Sequence, residues 1–205
     1  LQTQNFVGEI KPPKAPLARF LAVAPLHAGS GILTALKAQK ILSDSQIFVS
    51  LSVCGKGDSR YVAEVRSFAA MHKLPVEFLS VSNPFKDLPE VYRRHDVLLH
   101  TAEWNEPYSL TPLEAMAGGL PVIATTAGGA GALFRHGENA LTYPPGEAAA
   151  LAARIQELQL QPALRCQMAE AAQQEVLSNF NDATVTDRVE NYLQTSLQVW
   201  AHEAA

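Results

Sequence analysis

Two glutamates, Glu106 and Glu114, lie on either side of a helix start within "EWNEPYSLTPLEAMAGGLPVIATTAGG", residues 103–129. Glu106 precedes a proline, which holds it in an extended conformation, and no structural task explains its presence. The first N–H groups of a helix have no partner within the helix, so they attract anions. Two carboxylates placed there either cap the helix or bind the hydroxyl groups of a ligand whose anionic part lies on the helix end.

Glu114 has two interpretations, which depend on where this helix begins. If Thr111 is the N-cap and Pro112 the first helical residue, Glu114 completes a capping box and contributes about 1 kcal/mol to stability. If the helix starts at Ser109, Pro112 still lies in the first turn, where its missing N–H costs nothing, and Glu114 projects toward a cleft. The local pattern favours the capping box and leaves the second register open.

Short apolar runs alternate with stretches of helical period along most of the chain. Strands are expected at residues 19–24, 47–53, 75–81, 96–100, 120–125 and 140–143, and helices at 31–42, 60–73, 87–95, 110–117 and 131–136. Strands rich in Val, Ile and Leu that alternate with helices form right-handed βαβ units. The expected fold class is therefore α/β, a doubly wound parallel sheet, with a C-terminal helical extension from residue 146.

Four loops follow expected strands at the edge of the sheet where ligands bind in such folds. They cover residues 25–31, 54–59, 103–111 and 125–131. Three of them carry glycines, which allow backbone N–H groups to approach a phosphate closely. Glycine is common in βα turns, so each loop alone is weak evidence. Together with the glutamate pair, the loops indicate an anionic ligand that resembles a sugar or a nucleotide.

Composition limits the possible classes of function. The chain has 205 residues, of which 47% are hydrophobic and 18% charged, as expected for one soluble domain with a sizeable core. A net charge of -4 does not favour nucleic acid or anionic membranes as partners. Cys54 and Cys166 fit reduced thiols and form no disulfide or metal-binding pattern. No apolar run is long enough to predict a membrane span.

The two ends of the chain predict connections to something outside it. The sequence begins at Leu1 without Met or a signal peptide, so we expect it to be part of a longer protein, with residues 1–18 as a proline-bearing linker or entry segment. Asp182 is expected to cap the last helix. One apolar face of that helix carries Val185, Val189, Tyr192, Leu193, Leu197 and Trp200. The simpler interpretation is that this face packs on its own domain; our domain assignment has residues 181–205 packing toward an absent N-terminal domain.

The stretch "EPYSLTPLE" resembles the E-x7-E motif of the group 1 (glycogen-synthase- and sucrose-synthase-like) retaining glycosyltransferases, which have the GT-B fold. The similarity continues through "VCGKGD", "VYRRHDVLLHTA" and "TTAGGAGALFRHGENAL" and covers about residues 19–180. It implies a Rossmann-like domain that binds the nucleotide sugar, and a missing N-terminal domain that binds the acceptor. It also implies a cytoplasmic enzyme that needs no metal or other cofactor.

The resemblance implies a role for each matching residue. Glu114 would bind the ribose hydroxyls, and Glu106, the residue assigned to catalysis, would contact the hydroxyls of the donor sugar. The remaining implied donor-binding residues are the backbone of Tyr108, Ser109, Leu110 and Thr111 for the diphosphate and sugar, Gly55, Lys56 and Gly57 in the pocket wall, and Leu79 to Val81 beside the base.

The sequence departs from the family pattern in its first loop. Pro25 and Ser30 occupy the positions of an arginine and a lysine that clamp the diphosphate in the family, while Gly31 is kept. Removal of such a charged donor raises the reaction barrier by roughly 2–4 kcal/mol. Lys56 or His27 is a candidate for partial replacement, although Lys56 also fits an ordinary solvated loop charge. Two further departures are Ser109 for a glycine and Ala132 for an acid.

Three hypotheses follow. The favoured one is a glycosyltransferase that moves a sugar from a nucleotide donor to a glycan, lipid or protein acceptor with retention, and this chain would bind the donor without turnover alone. Its full-length form is compatible with peripheral membrane contact. The second is a degenerate domain that binds nucleotide sugars or docks a partner. The third is another sugar-phosphate enzyme, an epimerase or a phosphorylase, although no lysine is placed to hold pyridoxal phosphate.

Overall fold

The structure is a computed structural model that describes residues 3–11 and 17–203, except for the side chains of Thr3, Ala130 and residues 198–203. Its centre is a six-stranded sheet in which every neighbouring pair of strands is parallel. The strands are β1 (Arg19–Val23), β2 (Ser50–Cys54), β3 (Val76–Leu79), β4 (Val97–His100), β5 (Val122–Thr125) and β6 (Leu141–Tyr143). Their order across the sheet is β3-β2-β1-β4-β5-β6.

Helices cover both faces of the sheet. They are α1 (Ile32–Asp44), α2 (Ser59–Met71), α3 (Pro84–Arg94), α4 (Leu110–Ala117), α5 (Ala148–Leu160), α6 (Pro162–Asn179) and α7 (Asp182–Glu203). One hydrophobic cluster joins the sheet to α1, α2 and α5, and a second joins it to α3, α4 and α6. The predicted fold class, an α/β doubly wound parallel sheet with a helical C-terminal extension, is confirmed.

The central strands β1, β4 and β5 are largely apolar because both of their faces are buried. In β1, Phe20 and Ala22 belong to the first cluster, whereas Leu21 between them belongs to the second, and all three are almost fully buried. Successive side chains of a strand point to opposite faces, so a strand covered on both sides needs an unbroken apolar run. This requirement explains why short apolar runs located these strands. The edge strand β3 is only partly buried and carries the exposed Glu77.

Several predicted boundaries are wrong by a few residues. β2 begins at Ser50 instead of residue 47, and the helix predicted at residues 131–136 is a 3-10 turn at Gly129–Leu133. The helix predicted at 87–95 begins at Pro84, because proline is well suited to a first helical turn and the Asp87 carboxylate accepts bonds from the N–H groups of Ser82 (3.0 Å) and Asn83 (2.9 Å). These N–H groups would otherwise have no partner at the start of the helix.

The described part of the entry segment packs on the domain. Phe6 is buried with its ring edge-on to Tyr92 at 5.9 Å, and the N–H of Gly8 donates to the Ala117 carbonyl over 3.3 Å. Gln173 on α6 donates to the Gly8 carbonyl at 2.8 Å. Residues 1, 2 and 12–16 of the predicted linker lie outside the described residues.

The last helix differs from two predictions. Its cap is Asn181 instead of Asp182, because the Asn181 side-chain oxygen accepts the N–H of Thr184 at 2.9 Å, while Asp182 is already the first helical residue. Its apolar face does not pack on its own domain in the described part: Val189, Tyr192, Leu193 and Leu197 are 52–72% exposed. The side chain of Trp200, also predicted on this face, lies outside the described residues. No helix in the described ranges is long and apolar enough to cross a membrane.

The strand order locates a crevice at the carboxyl edge of the sheet. Chain progression reverses between β1 and β4, which are neighbours, so the loops that follow them diverge and leave a crevice between them. The two loops still touch at their base. Gly31 has φ +69°, and a Cβ there would lie 1.8 Å from the Thr101 carbonyl oxygen. Only glycine permits this approach, which explains why Gly31 ends the first loop.

Candidate functional site

The loops after β1 and β2 are joined by backbone hydrogen bonds. The N–H of Leu26 donates to the Lys56 carbonyl over 3.0 Å, and the N–H of Asp58 donates to the Leu26 carbonyl over 2.8 Å. A Cβ on Gly57 would lie 2.0 Å from the Leu26 oxygen, and one on Gly55 would lie 1.9 Å from the Ala24 oxygen. The glycines of this loop are therefore required by its contact with the neighbouring loop, a reason distinct from the phosphate contact that we expected.

The loops after β4 and β5 are joined in the same way. The N–H of Gly129 donates to the Glu106 carbonyl over 2.8 Å. Gly128 has φ +67°, and a Cβ there would lie 2.3 Å from the same carbonyl oxygen; on Gly129 it would lie 1.8 Å from the Pro107 oxygen. The double glycine thus holds the backbone of Glu106 in place. Rigid support of this kind is what a ligand-binding carboxylate needs.

The start of α4 has the second of the two registers considered above. Ser109 is the N-cap residue and makes no side-chain cap bond, and Leu110 is the first helical residue. The capping-box prediction for Thr111 and Glu114 is wrong, because Glu114 accepts a hydrogen bond of 2.9 Å from the Tyr92 hydroxyl instead. Tyr92 is 1% exposed, and a buried phenol needs an acceptor. That tertiary requirement outweighs the local pattern.

Burial shifts the ionisation of the Glu114 and Tyr92 pair. Burial raises the pKa of Glu114, and the hydrogen bond from Tyr92 opposes this shift in part. Burial, together with the nearby Glu114 charge, raises the pKa of Tyr92 well above its usual range. Tyr92 therefore remains a hydrogen-bond donor at neutral pH. It occupies one carboxylate oxygen, Oε2, and fixes the orientation of the other.

A small cavity of about 30 Å³ lies beside Glu106, at the ends of β1 and β4. Its wall contains Val23, Ala24, Pro25, His27, Ser30, His100, Thr101, Ala102, Trp104, Glu106, Ser109 and Thr111. Burial raises the pKa of Glu106, and the Ser109 hydroxyl and His27 oppose this shift. Three of the wall's polar groups, Glu106, Ser109 and Thr111, were predicted as site residues.

His100 is a residue of this wall that sequence reasoning missed. It is 5% exposed, and its Nε2 lies 3.9 Å from Oε2 of Glu106. Burial lowers the pKa of His100 to about 4, so the ring is neutral at physiological pH and the contact is not an ion pair. The sequence had one indication, since a histidine closes the otherwise apolar strand "DVLLH" at the edge where ligands bind.

A larger cavity of about 610 Å³ lies next to the small one, on the β2 and β3 side. Its wall includes Gly55, Lys56, Arg66, Phe78, Leu79, Val81 and Thr111. The Arg66 guanidinium lies 4.0 Å from the centre of the Phe78 ring, a cation–π contact that leaves its charge in the wall. Arg66 is the second residue that the sequence analysis missed.

The two cavities are neighbours and share part of their walls. Val23, Ala24, Pro25 and Thr111 belong to each. Among the other predicted residues, Tyr108 and Leu110 are each 49% exposed at the helix start, while Gly57 and Glu114 belong to neither wall. Glu114 is partly buried just behind this region, against Tyr92.

Cations are distributed unevenly around the site. Pro25, at the expected arginine position, lines both cavities, and Ser30, at the expected lysine position, is buried with its hydroxyl 3.3 Å from the Tyr61 hydroxyl. Lys56 and Arg66 line the larger cavity, whereas the wall of the smaller one has no lysine or arginine. In the part of the chain that the structure describes, no group of three His, Cys, Asp or Glu residues is arranged to hold a metal ion.

The sheet order, with a crevice at the point where progression reverses, defines the class as a Rossmann-like α/β domain with a ligand site at its carboxyl edge. The family is narrower than this class. The model of the glycosyl transferases group 1 family matches residues 9–175, and the chain belongs to this family.

Relatives agree with this assignment. The chain is 29% identical over 188 residues to a D-inositol 3-phosphate glycosyltransferase of Salinispora tropica, over 91% of this chain and 37% of that protein. It is 30% identical over 132 residues to spore coat protein SA of Bacillus subtilis, over 64% of this chain and 35% of that protein. The chain therefore spans about a third of the length of these relatives.

Solved structures share the fold. HepE of Anabaena in complex with UDP-glucose has a TM-score of 0.78 and 26% identity, over 86% of this chain and 48% of that one. Sucrose-phosphate synthase of Thermosynechococcus elongatus has a TM-score of 0.80 and 24% identity, over 96% of this chain and 51% of that one. The resemblance to GT-B glycosyltransferases expected from the sequence is confirmed.

Proposed function

We propose that this chain is the donor-binding half of a glycosyltransferase that moves a sugar from a nucleotide-diphosphate sugar to a glycan, lipid or protein acceptor, with retention of configuration. The main support is the placement of Glu106 and Glu114 around the start of α4, beside two neighbouring cavities at the crevice of the sheet. The UDP-glucose complex of the related HepE supports the ligand class.

The nucleoside occupies the larger cavity in this proposal. The backbone at Leu79 to Val81 contacts the base. The ribose extends from the cavity past Thr111, so that its hydroxyls reach the Glu114 oxygen that Tyr92 does not engage. The volume of the larger cavity, about 610 Å³, is within the range of small-molecule sites. Gly55 and Lys56 form the wall on the side of the β2 loop.

The diphosphate lies across the start of α4. The N–H groups of Ser109, Leu110 and Thr111 have no partner within the helix and face a positive helix end, so they favour phosphate oxygens. Lys56 and Arg66 supply side-chain cations from the larger cavity. They compensate for the arginine and lysine of the family pattern, whose positions are occupied here by Pro25 and Ser30. We propose on this basis that the donor is bound without a metal or another cofactor.

The donor sugar lies in the smaller cavity with Glu106. The bare cavity of about 30 Å³ is too small for a whole sugar, so it serves as the floor of a site that is open above. The acceptor and the covering wall come from the N-terminal domain, which this chain does not contain. We further propose residues 19–180 as the donor domain and 181–205 as a helix whose exposed apolar face packs toward that missing domain.

A cytoplasmic location is proposed from the class of substrate and from the thiols. Cys54 and Cys166 are both free cysteines, which is the usual state in a reducing compartment. We therefore place the protein in the cytoplasm. This placement is compatible with contact between the full-length protein and a membrane surface when the acceptor is a lipid.

Isothermal titration of the 205-residue chain with UDP, GDP and their sugars tests the proposal. We expect binding of at least one nucleotide and its loss in Glu114→Ala. The matched control is Glu138→Ala, because Glu138 is an exposed carboxylate outside both cavity walls. No heat with any nucleotide, together with unchanged behaviour of Glu114→Ala, would contradict the proposal.

A second function rests on the same departures. Pro25 and Ser30 remove the usual cations, which favours a domain that binds nucleotide sugars or docks a partner without turnover. The two functions differ in one result, the turnover of a nucleotide sugar by the full-length protein. Transfer to an acceptor supports the enzyme, whereas binding without transfer supports the degenerate domain.

A further inference from the structure

The imidazole of His100 has a feature that the proposed function leaves unused. His100 is 5% exposed, and its Nε2 has no hydrogen-bond partner among the residues that the structure describes. Buried polar groups are almost always hydrogen-bonded, because a lost partner costs free energy. His100 belongs to the wall of the small cavity, so a ligand group that enters there is a fitting partner for this nitrogen.

The distance to Glu106 defines what that ligand group is. Nε2 of His100 and Oε2 of Glu106 are 3.9 Å apart, which is too long for a direct hydrogen bond. An oxygen about 2.8 Å from each atom fits between them at ordinary hydrogen-bond lengths. A group that binds both atoms must accept from the imidazole N–H and donate to the carboxylate. A hydroxyl does both through one oxygen atom.

The charges at the two atoms agree with this arrangement. The pKa of His100 lies at about 4, so its ring is neutral at physiological pH and carries one N–H. A carboxylate near Nε2 favours the tautomer with the proton on that nitrogen, since an unprotonated nitrogen would repel it. The pair is therefore one donor and one acceptor, with no net attraction for a phosphate. This selects the neutral, hydroxyl-bearing part of a ligand.

We propose that His100 and Glu106 together bind one hydroxyl group of the donor sugar, and that His100 thereby contributes to the choice of sugar. The inference rests on the proposed function, because it assumes a nucleotide sugar in the two cavities. The inference adds to the proposed function a residue, His100, that contacts only the sugar part of the donor. A hydrogen-bonding site of this kind discriminates strongly against a sugar that lacks the hydroxyl.

Three variants separate the N–H of Nε2 from the bulk of the ring. His100→Leu removes the donor and replaces the imidazole with an apolar side chain of similar size. His100→Gln places an amide N–H near the position of Nε2, whereas His100→Asn places it near that of Nδ1. The expected result is that Leu and Asn weaken UDP-glucose binding roughly tenfold, while Gln retains most of the affinity. Affinity for UDP stays unchanged in all three.

The measurement is isothermal titration of the 205-residue chain with UDP and UDP-glucose, and with GDP and GDP-mannose as a second pair. Wild-type protein that binds none of the four contradicts the proposed function, and the inference fails with it. Wild-type protein that binds them while His100→Leu keeps its affinity for the sugar nucleotide overturns the inference alone. Equal loss of affinity for UDP and UDP-glucose also overturns it, because that is the result of a structural role.

UDP-glucose analogues that lack one hydroxyl each, at C2, C3, C4 or C6, provide the sharper test. One of these analogues should bind the wild type about tenfold more weakly than UDP-glucose does. The same analogue should bind His100→Leu at least as tightly as UDP-glucose does. That result identifies the hydroxyl. Additive effects of the variant and of every analogue show that no hydroxyl depends on His100 and overturn the inference.

Discussion

The carboxylates at the amino edge of the sheet, where the strands begin, and at the carboxyl edge, where they end, have opposite surroundings. At the amino edge, Asp96 receives bonds from the Arg19 backbone N–H (3.1 Å) and guanidinium (2.9 Å), and Lys11 lies 3.5 Å away. Burial alone would raise the pKa of Asp96, but the bonds from Arg19 outweigh it and lower the pKa. At the carboxyl edge, burial raises the pKa of both Glu106 and Glu114. Within the described residues, neither glutamate pairs with a lysine or arginine.

This difference separates a structural charge from a functional one. The amino edge also has a cavity, of about 240 Å³, whose wall includes Lys11, Arg19 and Asp96. A cavity alone therefore does not identify the ligand site. A carboxylate that is partly buried without a cation is costly to the fold, and such groups concentrate where a ligand supplies the missing partner. Substitutions at the two edges test whether they differ in function as they do in charge.

The largest expected effect is on turnover at the carboxyl edge. Glu106→Gln keeps the size of the side chain but weakens its ability to accept hydrogen bonds from the donor sugar. Turnover by the full-length protein should fall by about 10²–10³, as for other electrostatic groups of active sites. UDP affinity of the 205-residue chain should change little. A variant with wild-type turnover would show that Glu106 is no more functional than Asp96.

Ionisation of His100 should be visible in the pH dependence of stability. An unfolded histidine titrates near pH 6.5, whereas the pKa of His100 in the folded chain is about 4. Between these values the unfolded chain binds a proton that the folded chain does not, so stability falls as pH decreases from 6.5 toward 4. From pH 7.5 to 5.0 the wild type should lose about 2 kcal/mol more than His100→Gln does.

Urea denaturation at the two pH values measures this difference directly. The slope against urea concentration serves as the control, since an unchanged slope means that the same surface is exposed on unfolding. His136→Gln is the matched variant, because His136 is an exposed histidine outside both cavity walls. Equal pH dependence in the wild type and in His100→Gln would mean that His100 titrates normally, and the neutral ring beside Glu106 would be wrong.

Sequence reasoning located the sheet better than the chemistry at its edge. The central strands β1, β4 and β5 could be predicted because a strand covered on both faces needs a nearly continuous apolar run. The role of Glu114 could not be predicted locally, because its partner Tyr92 is 22 residues away in sequence and comes close only when α3 and α4 join the same hydrophobic cluster. His100 was missed for a similar reason, as its burial and its distance from Glu106 depend on how the β4 loop folds back.

The glycines give the same lesson at the level of the backbone. Their presence in βα loops predicted a phosphate site, yet Gly57 and Gly129 are each needed where a Cβ would strike the carbonyl of a neighbouring loop. Loop-to-loop contacts of this kind leave no separate pattern in the sequence. The roles of the site residues are therefore predicted by the family resemblance and not by the glycine pattern.

A substitution at the amino edge should affect stability without affecting function. Asp96→Ala removes the acceptor of three hydrogen bonds from Arg19, two from its guanidinium and one from its backbone. Arg19 is partly exposed, so the loss in the free energy of unfolding should be modest, about 1.5 kcal/mol. Nucleotide affinity should remain at the wild-type value. A loss of affinity that exceeds the loss of stability would remove the distinction between the two edges.

The smallest expected effect comes from the hydroxyl that orients Glu114. Tyr92→Phe removes one hydrogen bond and should cost about 1 kcal/mol of stability. It should also raise the pKa of Glu114 further, because that bond opposes the effect of burial. If the ionised carboxylate binds ribose, affinity is lost as pH falls through the Glu114 pKa, and in Tyr92→Phe the loss begins at a higher pH. UDP titrations between pH 5 and 8 measure that midpoint. An identical midpoint in both proteins would show that Glu114, like Asp96, stabilises the fold and does not bind the ligand.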